Sequence, residues 1–271
     1  MMRFALRRWR NLIILLCVSV VTVIVYTVYW LQLRHTGFIT GWTLFLLMLA
    51  LAGYNARKKL PFLPLVSSAN WLQFHLYAGF FTFVLFLLHV RFRVPAGTLE
   101  VILAGLYCAV FGSGIVGLGL SRAIPARLTT RGEEVIFERV PMLRRRLGEE
   151  LEGLIARAVA STASVTLPDF YARRLLAFFE GPRHFWWHLA QSNRPVHTLL
   201  NELLDSYRYL SAAEQKIADE IADLIRIKDD LDYHSAHQAL LKYWLFVHIP
   251  LTYSLLLVAL LHGVMVYAFL G

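Results

Sequence analysis

Cysteine is nearly absent from the chain: there are two in 271 residues, and both sit inside long apolar runs. Two isolated thiols cannot form a disulfide framework, and without a C-x-x-C-H string they cannot attach a covalent haem. Cys17 and Cys108 therefore read as small apolar packing residues. Charge is scarce as well, with 17% of residues charged against 58% hydrophobic and a mean hydropathy of +0.54. A soluble domain needs more charge than this to stay in water. Walker A loops, internal repeats and low-complexity tracts are missing too, and no cysteine is left over for an iron–sulfur cluster. One string, GSGIVG at 112–117, matches a dinucleotide fingerprint letter for letter, but it falls inside an apolar run where no soluble strand precedes it. Gly112, Gly114, Gly117 and Gly119 read instead as a small-residue face for close helix packing.

The apolar residues that dominate are clustered. Five runs are long enough to cross a hydrocarbon core of about 30 Å: Leu12–Leu33, Phe38–Tyr54, Trp71–Val90, Leu99–Leu120 and Tyr243–Leu270. The expected fold is an all-α integral membrane protein, a five-helix transmembrane bundle with a mostly helical insert between spans four and five. Residues 1–120 carry the first four spans, 121–240 the insert and 241–271 the fifth span. The first run follows Arg3, Arg7, Arg8 and Arg10 but is too long for a secretory signal and is followed by no small-residue cleavage site, so it reads as a retained anchor.

Basic residues set the orientation. The N-terminal arginines, Arg57, Lys58, Lys59, Arg122, Arg127 and Arg131 fall on one side; only Arg34, Arg91 and Arg93 fall on the other. The positive-inside rule then expects a bacterial-type inner membrane protein with its N-terminus and insert in the cytoplasm and its C-terminus outside. The net charge of +9 calls for lipid headgroups as partners and for no nucleic acid.

Within the insert, EEVIFERV (133–140) reads as a short strand, and MLRRRLGEELEGLIARAVA after Pro141 as an amphipathic helix. A break comes next at STASVTLPD, where Pro168 stops one element and Asp169 helps start the next. Ser211 and Glu214 form a capping box, and the helix they open meets no strong breaker before span five, so it is expected to run on as a stalk. His184 and His188 have a metal-capable spacing, but with Trp186 and Trp187 between them they read as a partly wet interfacial segment. His234 and His237 read as a solvated or packing pair, and Arg144–Arg146 as a solvated or lipid-facing patch that could also dock an acidic electron carrier.

The residues with most chemical content are four histidines in otherwise apolar runs: HLYAGFFTFVLFLLH (75–89) and HIPLTYSLLLVALLH (248–262). Fourteen helical residues rise about 21 Å and end about 40° short of four turns. His75 and His89 thus project from nearly one face at opposite membrane depths, and His248 and His262 repeat the arrangement. Spans three and five run in the same direction, so packing them together would set His75 level with His248 and His89 level with His262. Ionisable residues at membrane depth are costly and usually serve a function. Neither span contains Asp or Glu, which argues against a proton relay or metal transporter. Paired neutral imidazoles fit the two axial positions of a haem. Two noncovalent haem b groups are therefore expected, one on His75 and His248 and the other on His89 and His262. Arg91 and Arg93 on the outer side, and Lys242 near the inner site, are candidates to neutralise haem propionates. Gly79, one turn from His75, leaves space for a porphyrin ring, and Pro250 is expected to kink the start of span five.

This pattern resembles the di-haem b-type membrane cytochromes, a group including cytochrome b, cytochrome b561 and ferric-reductase-like proteins. Ligands on the third and fifth spans look most like the ferric-reductase-like arrangement. The chain departs from the flavin-bearing members in having no FAD or NAD domain after span five, and its insert matches no family pattern. The resemblance implies electron transfer across the membrane as a subunit of a redox complex, between a cytoplasmic or quinone-side partner and a periplasmic acceptor. An iron–sulfur, flavin or multihaem c-type cytochrome subunit is the expected protein partner, and quinone a further candidate. The alternatives are a self-contained oxidoreductase acting on quinone, ferric iron or superoxide, and a structural anchor that recruits a partner through the insert.

Overall fold

In a computed structural model of the chain, residues 2–32, 36–59, 68–129, 136–161 and 165–270 are described. All their regular structure is helical. The helices are α1 (Met2–Gln32), α2 (Thr36–Lys59), α3 (Ser68–His89), α4 (Thr98–Leu128), α5 (Val140–Ser161), α6 (Thr166–Phe170), α7 (Leu176–Glu180), α8 (Phe185–Leu189), α9 (Arg194–Ser206) and α10 (Ala212–Leu270). Five of them, α1 to α4 and α10, are long and apolar enough to cross a membrane. The protein is a multi-pass, all-α membrane protein. Arg34 and Arg131, two of the residues that bear on orientation, lie outside the described residues.

The chain divides into two compact units, Met1–Val116 with Leu245–Gly271, and Gly117–Trp244. The first is the membrane unit. Its core is Leu44 and Met48 of α2, Leu85 of α3, Tyr107 of α4 and Leu255 of α10. Aromatic rings fill the space around them. Phe83 stacks on Phe111 at 4.5 Å and Phe86 on Tyr107 at 4.2 Å. The Tyr107 hydroxyl donates to Thr82 Oγ1 (3.1 Å), which donates in turn to the Gly79 carbonyl (2.7 Å), so this buried polar pair is satisfied inside the bundle. Helix α1 is joined to α3 by a hydrogen bond from Asn11 Nδ2 to Gln73 Oε1 (3.1 Å), while most of its apolar surface faces outward as a lipid-contacting helix requires. Cys17 and Cys108 are on the outer surface, not packed as expected; a thiol is apolar enough to face lipid.

Helix α3 ends at His89 with a bond from Phe92 N to the Leu87 carbonyl (3.0 Å) and one from Arg91 N to the Leu88 carbonyl (3.2 Å). That cap places Arg91 and Phe92 at positive φ (53° and 55°), where glycine is the usual occupant. The strain turns the chain sharply away from the helix axis directly after the histidine.

The second unit is an amphipathic assembly. Leu151, Leu154, Ile155 and Ala158 of α5 and Val196, Leu199 and Leu203 of α9 recur three and four apart, as one buried helix face demands. They pack with Leu167, Phe170, Phe178 and Phe179 and with Ile217, Ile221 and Ile225 at the start of α10. The α6 and α7 helices are joined by one wide turn over Tyr171–Leu175. The Ser211–Glu214 capping box forms: Ser211 N donates to Glu214 Oε2 (2.8 Å) and Glu214 N to Ser211 Oγ (3.4 Å). From there α10 runs unbroken for 59 residues through Pro250, the continuous stalk expected from the absence of breakers.

Three local expectations are corrected. Residues 137–140 are not a strand: Phe137–Arg139 make a tight 3-10 turn that feeds α5, which opens at Val140 with Pro141 in its first turn. Proline needs no amide partner there and its fixed φ suits the helix, so the helical pattern starts one residue before it; 133–135 lie outside the described residues. Pro168 likewise sits in the first turn of α6 and does not terminate an element. The preceding break at 162–164 lies outside the described residues. The glycine face of α4 is split. Gly117 is closely approached by Trp244 of α10 and Gly114 lies at ordinary contact distance from His248, whereas side chains at Gly112 and Gly119 would meet nothing within 4 Å. Positions seven apart share one face, and those two are on the open one.

Candidate functional site

Within the membrane unit the histidines of α3 and α10 face one another in the order the spacing requires. The His89 and His262 rings have centres 6.5 Å apart and planes at 89°. His75 and His248 are near enough for charge on one to act on the other. All four rings are half-buried. Each level therefore has an imidazole from α3 and one from α10.

Three of the four imidazoles are held at Nδ1. His75 Nδ1 is 3.2 Å from the Leu51 carbonyl oxygen of α2. A carbonyl only accepts, so Nδ1 carries the proton and donates. His248 Nδ1 is 2.6 Å from Ser113 Oγ of α4, and that hydroxyl lies 2.8 Å from the Val110 carbonyl, to which it donates. Its lone pair is then what meets His248. His89 Nδ1 is 3.1 Å from Thr40 Oγ1 of α2, whose single proton is directed at the Thr36 and Gly37 carbonyls (3.0 and 3.1 Å). The same logic makes His89 Nδ1 the donor. In all three rings Nε2 is left as the lone-pair nitrogen, the form in which an imidazole binds a metal.

Space beside the rings is uneven. A side chain at Gly79, one turn after His75, would meet nothing within 4 Å. A Cβ at Gly41 would lie 2.9 Å from His89 Cε1, so α2 and the imidazole touch only because that residue is glycine. Among the described residues no three His, Cys, Asp or Glu side chains converge as a metal ion held by protein alone would need. Two facing imidazoles are enough for a metal whose other ligands belong to a macrocycle.

The charged candidates are distributed differently. Arg91 is exposed at the α3 cap, close enough to His89 for its charge to act there, and Arg93 is exposed two residues on. Glu100 at the start of α4 acts on the same imidazole with opposite sign. Lys242 belongs to the second unit, where it pairs with Glu138 (3.1 Å) and lies over the Phe137 ring (3.7 Å).

The second unit holds a polar cluster that sequence reasoning missed. Lys228, fully buried, pairs with Asp232 one turn further along α10 and donates to the Gly181 carbonyl (2.8 Å). Arg144 Nη2 reaches the other Asp232 oxygen (3.2 Å), and the Arg183 amide donates to Asp232 as well (3.0 Å). Arg144 therefore turns inward and is not part of a solvated patch; Arg145 and Arg146 remain exposed. Burial pulls the Lys228 ammonium down to about 8 in spite of the Asp232 carboxylate. His188, Asp229, His234 and His237 are buried in the same unit. His188 Nε2 lies 3.8 Å from Asp229 Oδ1, and the Tyr233 ring touches His188, His234 and His237. His234 and His237 are thus a packing pair with no solvated side, and His188 is not wet. His184 sits outside α8 in a left-handed conformation (φ 58°), so the i, i+4 spacing of His184 and His188 does not place them on one helix face. Trp186 and Trp187 are exposed, as an interfacial segment would have them. The signal for the cluster was present: Lys228 and Asp232 continue the buried stripe begun by Ile217, Ile221 and Ile225.

Comparison with known protein families, characterised proteins and solved structures returns no match for this chain.

Proposed function

We propose that the protein is a di-haem b-type cytochrome that carries electrons across a bacterial-type inner membrane as a subunit of a redox complex. His75 and His248 would be the axial ligands of one haem and His89 and His262 those of the other, with the N-terminus and the insert on the cytoplasmic side. The reading rests on one observation above the rest: two imidazole pairs, in a unit whose fully buried polar groups among the described residues are uncharged hydroxyls. Imidazole nitrogen binds first-row metals at about 2 Å, so two rings sharing one iron have centres about 6 Å apart. The His89–His262 separation of 6.5 Å suits that requirement. The Nδ1 donors of His75, His89 and His248 leave Nε2 as the ligand atom.

A haem held by His75 and His248, or by His89 and His262, would supply one-electron chemistry, which favours relay over substrate binding at the metal. The chain's own part is to hold the rings and exclude water. The aromatic layer of Phe83, Phe86, Tyr107 and Phe111 keeps the interior dry. Arg91 and Arg93 offer cationic partners for propionates on the outer side. The donor and acceptor are redox proteins or quinone on the two faces.

A reduced-minus-oxidised spectrum of the purified full chain tests the reading. The expected result is a b-type spectrum with two extractable haems per chain. His75→Ala or His248→Ala should remove one, and His89→Ala or His262→Ala the other. A wild-type chain that binds no haem in haem-supplemented expression would leave only the anchor function standing.

A further inference from the structure

The two best-held histidines are held in the same way by unrelated helices. On α2, Thr40 accepts from His89 Nδ1, and the next residue, Gly41, comes so close to the ring that a Cβ would stand 2.9 Å from Cε1. On α4, Ser113 accepts from His248 Nδ1, and the next residue, Gly114, would put a Cβ 3.8 Å from Cε1 of that ring. In both cases the hydroxyl proton is committed to a carbonyl of its own helix, three or four residues back. The hydroxyl is thereby fixed as an acceptor towards the imidazole, and at Gly41 the missing side chain lets α2 close against the ring edge, whereas Gly114 stands at ordinary contact distance. A Ser or Thr followed by Gly is thus a cradle: the hydroxyl sets the tautomer, and on α2 the glycine also sets the ring position.

We propose that Thr40–Gly41 and Ser113–Gly114 are positioning dipeptides that set the electronic character of one axial ligand in each haem pair, His89 in one and His248 in the other. This inference rests on the haem reading above. Hydrogen bonding at Nδ1–H makes an imidazole a more basic ligand, and a more basic ligand favours ferric over ferrous iron. Removing the acceptor should therefore raise the midpoint potential of the haem concerned and leave the other alone. The glycines act through distance. Gly41→Ala must displace the His89 ring, whereas Gly114→Ala adds only an ordinary van der Waals contact.

The same construction gives GSGIVG at 112–117 a role unrelated to phosphate. Its Ser113 and Gly114 face an imidazole, and Gly117 admits the Trp244 ring of the second unit's part of α10.

The test is redox potentiometry and low-temperature electron paramagnetic resonance on the haem-loaded full chain, comparing wild type with Ser113→Ala, Ser113→Thr, Thr40→Val, Thr40→Ser, Gly41→Ala and Gly114→Ala. The expected result is two potentials in the wild type. Ser113→Ala should move one of them upward and Thr40→Val the other, while Ser113→Thr and Thr40→Ser stay at wild-type values. Gly41→Ala should alter the signal of the same haem as Thr40→Val, and more strongly than Gly114→Ala alters its own. Two haems present but unmoved by both hydroxyl deletions, or moved together by either one, would overturn the cradle while leaving the cytochrome intact. A chain that never holds haem would overturn the cytochrome reading first. If Thr40→Val fails to fold, Thr40→Ala carries the same comparison.

Discussion

In the membrane unit the fully buried polar side chains among the described residues are Thr36, Thr40 and Thr82, while in the second unit they are His188, Glu214, Lys228, Asp229, Asp232, His234 and His237. One interior is kept free of formal charge; the other encloses ammonium, guanidinium and carboxylate together. The physical reason is the solvent each chain segment meets. A helix in lipid has no water against which to balance a buried ion, so its polar groups must be neutral and satisfied by backbone or hydroxyl. A unit with polar outer faces can bury an ion pair, provided that every lone pair and proton finds a partner. Asp232 meets that condition with Arg144, Lys228 and the Arg183 amide around it. In the half-buried imidazoles of His75, His89 and His248 the same condition is met at Nδ1 by a carbonyl or hydroxyl of the membrane helices, with no charged group involved.

The contrast makes its largest prediction at Asp232. Asp232→Ala takes the paired carboxylate from Lys228 and Arg144 in a buried site, leaving only the longer-range charge of Asp229 acting on the lysine. The expected cost is about 3–5 kcal/mol, the range for breaking one partner out of a buried pair. In the membrane unit Thr82→Val takes an acceptor from the buried Tyr107 hydroxyl and should cost less, about 1–3 kcal/mol. Denaturant titration in detergent, read by protease resistance of the second unit and by tyrosine and tryptophan fluorescence of the first, separates the two. Comparable losses would mean that the interiors are less different than their polar inventories suggest. Replacing Lys228 and Asp232 together by Met and Leu removes both charges, but it still orphans Arg144. Recovery of most of the loss in that double variant would show that the pair serves packing and register.

The same contrast explains how far the molecule could be read from its sequence. The five spans, the amphipathic helix after Pro141, the Ser211 capping box and the long α10 are local patterns, so they were legible. The facing of His75 with His248 and of His89 with His262 was legible because a spacing of fourteen repeats on two spans of like direction. Thr40 and Ser113 were not, since a hydroxyl in a membrane helix usually bonds its own backbone; both do so, and meet an imidazole with the remaining lone pair. The Lys228–Asp232 pair was hidden for the opposite reason. Its residues read as a solvated i, i+4 pair unless one notices that they occupy the stripe of Ile221 and Ile225. The 133–140 segment misled because β-branched residues at 135 and 136 suggest a strand, while the helix-compatible proline at 141 commits the chain to α5.

A second prediction uses pH to sharpen the contrast. The Lys228 ammonium is held down to about 8 by burial, against an ordinary value of 10.5. Between those two values the unfolded chain keeps a proton that the folded chain has released. Stability of the second unit therefore rises with pH across that window, and below about 8 both states are protonated and the full cost of burying the cation remains. Melting of the second unit, followed by circular dichroism from about pH 7.5 to 10.5, should show a rising limb that Lys228→Met flattens. A melting point that falls across the window in wild type, with the same slope in Lys228→Met, would show that the lysine is not the titrating group.

The smallest effect lies at the start of α10, which like α4 has residues in both units. Ser211→Ala removes one half of the capping box, leaving the Glu214 amide without its hydroxyl acceptor, at a cost of about 1 kcal/mol. Helix ends fray locally, and the loss of a cap is felt within the first turn, because each later amide still finds its carbonyl four residues back. Amide exchange should therefore quicken at residues 212–215, while exchange around His248 and His262 stays unchanged. Faster exchange reaching Tyr233 or beyond would mean that the stalk unwinds as one cooperative element. In that event the charged interior of the second unit could not be perturbed independently of the histidine-bearing helix, and the Asp232 variant would have to be read for exchange at His248 and His262 as well as for unfolding.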